Sequence, residues 1–154
     1  MIEVRKKDLN FKFEVLREKG GDALLRCFAC GTCTVSCPVR AVDERYNPRK
    51  IIRMTILGMK EEVLKNEFIW LCAGCYSCYE RCPQDVRLTD IMTALRNIAV
   101  REGYIPEGVK LQIENLKKFG RLYEVDDFIA RKREKANLPQ VEREIADIKK
   151  ILER

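Results

Sequence analysis

Histidine is absent from the 154 residues of the sequence, and so is any G-x-G-x-x-G fingerprint. Histidine is the side chain that most readily acts as an acid, a base or a metal ligand near neutral pH, and the glycine fingerprint marks a common dinucleotide site. The chain therefore lacks the usual means of transforming a substrate. We expect any substrate chemistry to occur on another protein.

Long apolar runs are also missing. The longest one near the middle, IIRMTILGM, is short and is broken by Arg53, whereas a membrane-spanning helix needs about 20 predominantly apolar residues. The first residues, MIEVRKKDLNFKF, contain neither the apolar stretch nor the cleavage site of an export signal. We expect a chain that does not span a membrane and that works in the reducing cytoplasm, where cysteines remain free thiols.

Charge of one sign is not concentrated in any segment. The chain has 30 Lys and Arg against 24 Asp and Glu, a formal net charge of +6. The basic residues are dispersed among the acidic ones without interleaved aromatic residues, and this pattern argues against a nucleic-acid partner. The length suits one compact domain, or a small core with an appendage.

Cysteine is what the sequence does have, in two runs of the form C-x2-C-x2-C-x3-C-P. Their cysteines are Cys27, Cys30, Cys33 and Cys37 in CFACGTCTVSCP, and Cys72, Cys75, Cys78 and Cys82 in CAGCYSCYERCP. This spacing is typical of loops that bind [4Fe-4S] cubanes. Three thiolates at three-residue intervals can each reach a different iron if the backbone curls tightly, and Gly31 and Gly74 allow the torsions that this requires. The sequence predicts two [4Fe-4S] clusters.

The fourth cysteine of each run lies one residue out of step and precedes a proline, which turns the chain away. In two-cluster proteins of this type the fourth cysteine binds the other cluster. We therefore expect crossed ligand sets: Cys27, Cys30, Cys33 and Cys82 for the first cluster, and Cys72, Cys75, Cys78 and Cys37 for the second. Spacing alone leaves open the uncrossed alternative, in which each run binds its own cluster. Zinc is a weaker alternative, because structural zinc usually takes two separated C-x2-C pairs, often with histidine.

Two clusters would offset much of the positive charge, because each cubane with four thiolates carries about −2. Arginines that adjoin the two runs are candidates to stabilise a reduced cluster, although each also suits an ordinary surface position: Arg26, Arg40, Arg81 and Arg87. Trp70 and Tyr76 are candidates to shield a cluster from water, with plain packing as the alternative.

Apolar residues recur at helical spacing after the first run. Asn47-Pro48 has the form of a helix start and Gly58 that of a stop. The face between them consists of Ile51, Ile52, Thr55, Ile56 and Met59. One further helix is predicted to lead into Cys72, with an apolar stripe of Val63, Leu64, Phe68 and Leu71.

A third helix is predicted after the second run, with Thr89 as a candidate cap and Gly103 beyond its end. Its apolar face consists of Leu88, Ile91, Met92, Leu95, Ile98 and Ala99. No strand alternation is convincing. The predicted fold is therefore all-α, an alpha-helical ferredoxin that holds two [4Fe-4S] clusters and carries an extension at each end.

Three segments follow from this pattern: an N-terminal segment, 1–20; the alpha-helical dicluster ferredoxin domain, 21–104; and a polar helical C-terminal extension for docking, 105–154. Asp22 is a candidate cap for a short helix, ALLRC, that leads into the first run. One face of a final helix is predicted to consist of Val141, Ile145, Ile148 and Leu152. This face suits a partner helix or the chain's own core equally well.

Four segments resemble the C subunit of heterodisulfide reductase, a family of methanogenic and related archaea and of some bacteria: CGTCTVSCP, NPRKIIRMTILGMKEEVL, IWLCAGCYSCYERCP and TDIMTALRNIAVREGY. The resemblance runs from about Gly20 to Tyr104 and does not reach the end of the chain. It implies a helical ferredoxin domain similar to that of succinate dehydrogenase, with two [4Fe-4S] clusters on the eight cysteines. It also implies that the chain is an electron-relay subunit of an oxidoreductase. The sequence lacks the adjacent cysteine pairs that mark the catalytic subunit.

The resemblance further implies partners. A flavin-bearing A subunit would supply electrons, and a B subunit with non-cubane clusters would use them to cleave the coenzyme M–coenzyme B heterodisulfide. A hydrogenase or formate dehydrogenase is a further candidate through the larger complex. The same relay in a sulfur-oxidising or quinone-linked complex remains open, and so does a free dicluster ferredoxin. The low net charge of the loaded chain argues against the last, since it gives weak electrostatic steering.

Overall fold

The computed structural model describes residues 8–152, and its regular elements there are all helical. The helices are α1 (Phe11–Arg17), α2 (Thr32–Val35), α3 (Pro38–Val42), α4 (Pro48–Ile56), α5 (Lys60–Leu64), α6 (Phe68–Leu71), α7 (Ser77–Glu80), α8 (Leu88–Arg101), α9 (Glu107–Phe119), α10 (Asp127–Lys135) and α11 (Ala146–Leu152). A single 3₁₀ turn, Leu24–Arg26, precedes the first run. No strand occurs between residues 8 and 152, so the predicted all-α class is confirmed there. Residues 1–7 of the predicted N-terminal segment lie outside the described residues.

The chain divides into two compact units, one up to Tyr104 and one from Ile105 onwards. The first unit contains both cysteine runs and one apolar core. Phe11 and Val15 of α1 lie in that core with residues of α4, α5, α6 and α8. Six of the eight cysteines pack against its edge: Cys27, Cys33, Cys37, Cys72, Cys78 and Cys82. The thiols are therefore positioned by the same packing that holds the helices together.

The second unit contains α9, α10 and α11. Gly120 ends α9 with a φ of 68°, and the Ile145 amide donates to the Phe119 carbonyl at 2.9 Å, which brings the start of α11 to the end of α9. Val125 is buried, whereas several large apolar side chains of this unit are exposed: Leu111, Leu122, Tyr123 and Phe128.

Helix α4 begins where the sequence predicts. The Asn47 side chain accepts a hydrogen bond from the Lys50 amide at 3.0 Å, and Pro48 occupies the first helical turn. Ile51, Ile52 and Thr55 are buried, and the Thr55 hydroxyl donates to the Ile51 carbonyl at 2.9 Å. The capping side chain is confirmed, and so is the apolar face from Ile51 to Ile56, whereas Met59 lies beyond the end of the helix and was wrongly assigned to that face.

The prediction of one helix from Val63 to Leu71 is wrong. The segment forms two short helices, because the Asn66 side chain accepts from the Phe68 amide at 2.9 Å and starts a new turn. Ile69 is buried in the second of them, and Leu71 is 42% exposed. Leu71 therefore does not belong to the core stripe assigned to it.

Helix α8 buries the whole predicted face from Leu88 to Ala99. Thr89 does not cap it: Arg87 precedes the helix, and Thr89 lies within its first turn as a buried residue. Gly103 follows the end of the helix with a φ of 81°, as expected for a residue that terminates it.

Two smaller predictions are also wrong. Asp22 caps no helix, since the ALLRC segment forms only the 3₁₀ turn, which follows Ala23 without a side-chain cap. The final helix begins at Ala146, so Val141 and Ile145 lie before it. Ile148 is half-buried, and Leu152 is exposed.

Replacement of Gly58 by alanine is expected to lower the free energy of unfolding by about 2–4 kcal/mol. Gly58 has a φ of 75°, and an added Cβ would lie 2.4 Å from the Asp8 carbonyl oxygen. Gly103→Ala is the matched control, because Gly103 has a φ of 81° but nothing within 4 Å of its Cβ position; a loss of only about 1 kcal/mol is expected there. Thermal unfolding of both variants measures the difference, and equal losses would contradict the close approach at Asp8.

A search of the described residues for membrane-spanning helices finds no candidate that is long and apolar enough.

Candidate metal centre

The two cysteine runs fold into loops of the same backbone form. Residues with positive φ flank the second cysteine of each run at matching positions: Ala29 (63°) and Gly31 (91°) in the first, Gly74 (63°) and Tyr76 (60°) in the second. Each loop then enters a helical turn, α2 or α7, that carries its third cysteine. The glycine stands on opposite sides of the second cysteine in the two runs. The sequence therefore indicates only one of the two unusual torsions in each loop.

Two neighbouring cavities lie between the loops. The first is lined by Cys27, Cys30, Cys33, Cys78 and Cys82. The second is lined by Cys37, Cys72, Cys75 and Cys78. Each cavity thus brings together the three in-step cysteines of one run and the fourth cysteine of the other. Helices α2 and α7 pack against each other, and Cys78 and Leu88 line both cavities.

All eight cysteines are free thiols. Between residues 8 and 152, no three His, Cys, Asp or Glu side chains converge as the ligands of one metal ion do. The thiols instead surround the two neighbouring cavities. Thiolate donors arranged around a cavity suit a polynuclear group, in which each thiolate bonds a different iron.

Hydroxyl side chains contact one exposed thiol in each loop. Thr32 Oγ1 lies 3.4 Å from Cys30 Sγ, and Ser77 Oγ lies 3.5 Å from Cys75 Sγ, each two residues after its cysteine. These hydrogen bonds lower the pKa of Cys30 and Cys75. They favour the thiolate, which is the form that binds metal.

The third cysteine of each run is more enclosed. Burial raises the pKa of the Cys33 and Cys78 thiols. Thr89 Oγ1 lies 3.6 Å from Cys78 Sγ, and the Val86 amide donates to Cys82 Sγ at 3.3 Å. Metal would overcome the burial effect on the two thiols, because a coordinated thiol is deprotonated by the cation.

Comparison with known proteins agrees with this geometry. The family model of the 4Fe-4S dicluster domain matches residues 23–86. The iron-sulfur C subunit of the CoB–CoM heterodisulfide reductase of Methanopyrus kandleri is 34% identical over 147 residues, a match that covers 90% of this chain and 76% of that subunit. The chain belongs to the family of heterodisulfide reductase C subunits.

Two further members of the family show how much of each chain is shared. The C subunit of the ferredoxin:CoB-CoM heterodisulfide reductase of Methanosarcina mazei is 34% identical over 91% of this chain and 85% of its own length. The C subunit of the H(2):CoB-CoM heterodisulfide,ferredoxin reductase of Methanothermobacter thermautotrophicus is 41% identical over 66% of this chain, and the chain spans 55% of that subunit. As a member of this family, the chain is an iron–sulfur subunit of an oxidoreductase complex that transfers electrons.

Two arginines from outside the runs contact the backbone of the two cysteine loops. Arg49 Nη1 donates to the Ala29 carbonyl at 3.4 Å in the first loop. Arg96 donates to the Ile69 carbonyl at 2.7 Å and to the Cys72 carbonyl at 2.9 Å, at the entrance of the second. Neither was among the arginines expected from sequence, because each is distant in sequence from the loop that it contacts. Arg49 lies in the segment NPRK and Arg96 in TALRN, so the family resemblance covered both without indicating their contacts.

The four arginines that adjoin the cysteine runs in sequence differ in their contacts and exposure. Arg26 pairs with Asp85 at 3.5 Å, and both side chains are largely exposed. Arg87 lies over the Tyr79 ring at 5.8 Å. Arg81 lines a groove beside Cys30, and Arg40 is half-buried on α3.

Three aromatic side chains near the second loop differ in how far they are buried. Tyr46, which sequence reasoning did not single out, is buried and lines the second cavity, and burial raises its pKa. Trp70 packs against the core edge, and Arg96 stacks over it at 6.0 Å. Tyr76 is exposed. Tyr46 is therefore the aromatic residue that encloses the second cavity.

Replacement of Thr89 by valine is expected to lower the reduction potential of the cluster bound by Cys78 by about 20–40 mV, which corresponds to roughly 0.5–1 kcal/mol for one electron. With Cys78 as a thiolate, the Thr89 hydroxyl must be the donor, and a donor stabilises the more negative reduced state. Thr93→Val on the exposed side of α8 is the control, since its hydroxyl donates to the Thr89 carbonyl. Potentiometric titration followed by EPR measures both. A potential that does not move in Thr89→Val would contradict the role of this hydroxyl.

Proposed function

We propose that this chain is a relay that holds two [4Fe-4S] clusters in crossed ligand sets and transfers single electrons between two other subunits. The crossed sets are Cys27, Cys30, Cys33 and Cys82 for the first cluster, and Cys72, Cys75, Cys78 and Cys37 for the second. The observation that carries the proposal is the lining of the two cavities, each of which contains the fourth cysteine of the opposite run. When bound, the clusters supply one-electron storage.

The other residues of the site suit electron transfer. Apolar side chains surround the thiols, with Ile52 and Val86 at the first cavity, Met92 at the second and Leu88 at both. They limit the access of water and keep the local dielectric low. Because Cys78 and Leu88 line both cavities, the cavities share a wall, and this adjacency supports electron transfer from one cluster to the other.

For the partners, we propose a flavin-bearing A-like subunit and a catalytic B-like subunit that reduces the coenzyme M–coenzyme B heterodisulfide. The names of the relatives from Methanopyrus kandleri and Methanosarcina mazei support the heterodisulfide as the substrate of the complex, since both are subunits of CoB–CoM heterodisulfide reductases. The flavin-bearing and catalytic partners follow from the family resemblance. This chain would carry no substrate chemistry of its own. Its residues would set the potentials of the clusters and the distance between them.

Native purification of a tagged chain from cells that produce it tests the proposal. We expect a flavin protein and a second cysteine-rich subunit to co-purify, and we expect the complex to reduce the heterodisulfide. After removal of this chain, the two remaining subunits should each keep their own cofactors but no longer exchange electrons. A lone chain with full activity as a diffusible carrier would contradict the proposed role.

A further inference from the structure

A surface groove lies beside the first cluster site. Its lining includes Cys30, Thr32, Val35, Arg49 and Arg81. Cys30 is exposed, so the groove is where the proposed ligand set of the first cluster comes closest to solvent. A protein seated in this groove would lie next to that cluster.

The groove is positively charged. Arg49 and Arg81 both line it, and no acidic residue is among the described residues that do so. In the described part of the chain, neither guanidinium forms an ion pair, whereas exposed arginines such as Arg45 and Arg101 do. Arg49 is held in place by its contact with the Ala29 carbonyl. Two arginines that have no carboxylate partner in this chain would complement carboxylates on another protein.

An apolar side chain lies at the same place. Val35, at the end of α2, is 90% exposed and lines the groove. Arginine together with an exposed apolar residue is a typical composition for a protein interface. The cavity at the second cluster site differs in charge: Cys75 is exposed, but no charged side chain is among the described residues that line that cavity.

We propose that this groove is the docking site for the subunit that exchanges electrons with the first cluster, and that this partner inserts an acidic segment whose carboxylates pair with Arg49 and Arg81 and whose apolar side chain covers Val35. One electron crosses the interface: the donor is oxidised by one electron, the acceptor is reduced by one, and no covalent bond forms or breaks. The inference rests on the proposed relay function, and it specifies which face of the relay serves an acidic partner.

The test compares groove variants with matched controls in the full chain. The groove variants are Val35→Asp and Arg81→Glu. Val42→Asp is the control for the first, because Val42 is also 90% exposed but lies on α3 outside the groove. Arg53→Glu, on the exposed side of α4, is the control for the charge reversal. Iron content and EPR spectra show that each variant retains its clusters.

The probes are the subunits that co-purify with the wild-type chain. We expect both groove variants to bind one of these subunits about tenfold more weakly than wild type, and both controls to bind it as wild type does. Wild-type binding should weaken as ionic strength rises, and Arg81→Glu should show a smaller dependence. Groove variants that bind every recovered subunit as tightly as the controls would overturn the docking site and leave the relay function standing. Recovery of other electron-transfer proteins, bound through the groove, would overturn the proposed function and support the docking site.

Discussion

A chain in which Cys30 and Cys82 are both replaced by alanine is expected to keep one cluster, with about four iron atoms in place of about eight. The two thiols line the same cavity although they are 52 residues apart in sequence. In crossed ligand sets both belong to the first cluster, so the second retains all four of its ligands. In uncrossed sets the same double variant removes one ligand from each cluster, and both clusters would be damaged.

The double variant Cys30→Ala/Cys37→Ala is the matched control, because it reverses the two expectations. Cys37 lines the second cavity, so crossed sets predict damage to both clusters, whereas uncrossed sets predict that one survives intact. Iron analysis and EPR of the reduced proteins distinguish the outcomes. Loss of both signals in Cys30→Ala/Cys82→Ala, together with an intact cluster in the control, would contradict the crossed assignment.

Replacement of Arg96 by methionine is expected to lower the free energy of unfolding by about 2–4 kcal/mol and to make the second cluster the more labile one. The partly buried guanidinium donates to the carbonyls of Ile69 and Cys72, which fix the chain as it enters the second loop. Methionine keeps the apolar stem but leaves both carbonyls without their donor. An apparent melting temperature lower by about 10 °C is expected in anaerobic thermal unfolding.

Arg101→Met provides the control for Arg96 because both residues lie on α8. Arg101 is 54% exposed and pairs with Glu18, so its loss should cost less than about 1 kcal/mol. The rate at which each cluster is released to an iron chelator separates a local effect from a general one. If Arg96→Met released the two clusters at equal rates, its role at the entrance of the second loop would be contradicted.

The sequence predicted those features that depend on local chemistry. The Asn47 cap and Pro48 needed only neighbouring residues, and the face of α8 needed only helical periodicity. Both are confirmed. The cysteine spacing likewise predicted which thiols would lie together, because three residues at short intervals on a tight loop cannot separate far. The crossed ligand sets remain a prediction, supported by the lining of the cavities.

Features that depend on tertiary packing could not be predicted from the sequence. Arg96 acts on carbonyls more than twenty residues before it, and periodicity carries no information about such a contact. Thr89 is of a residue type that often caps helices, but it is buried within the first turn of α8, where its hydroxyl lies beside Cys78. The break at Asn66 was not predicted, because the apolar stripe continues across it. The hydrogen bond from the Phe68 amide to the Asn66 side chain, which starts the new helix, has no signal in that stripe. The positive φ of Tyr76 was not predicted, because tyrosine, unlike glycine, does not indicate a left-handed backbone conformation.

Anaerobic analysis of iron, acid-labile sulfide and zinc in the purified chain tests the central claim most directly. Two cubanes on eight thiolates predict about eight iron atoms and about eight sulfides per chain, with no stoichiometric zinc. Stoichiometric zinc, or iron without acid-labile sulfide, would contradict the two-cluster relay.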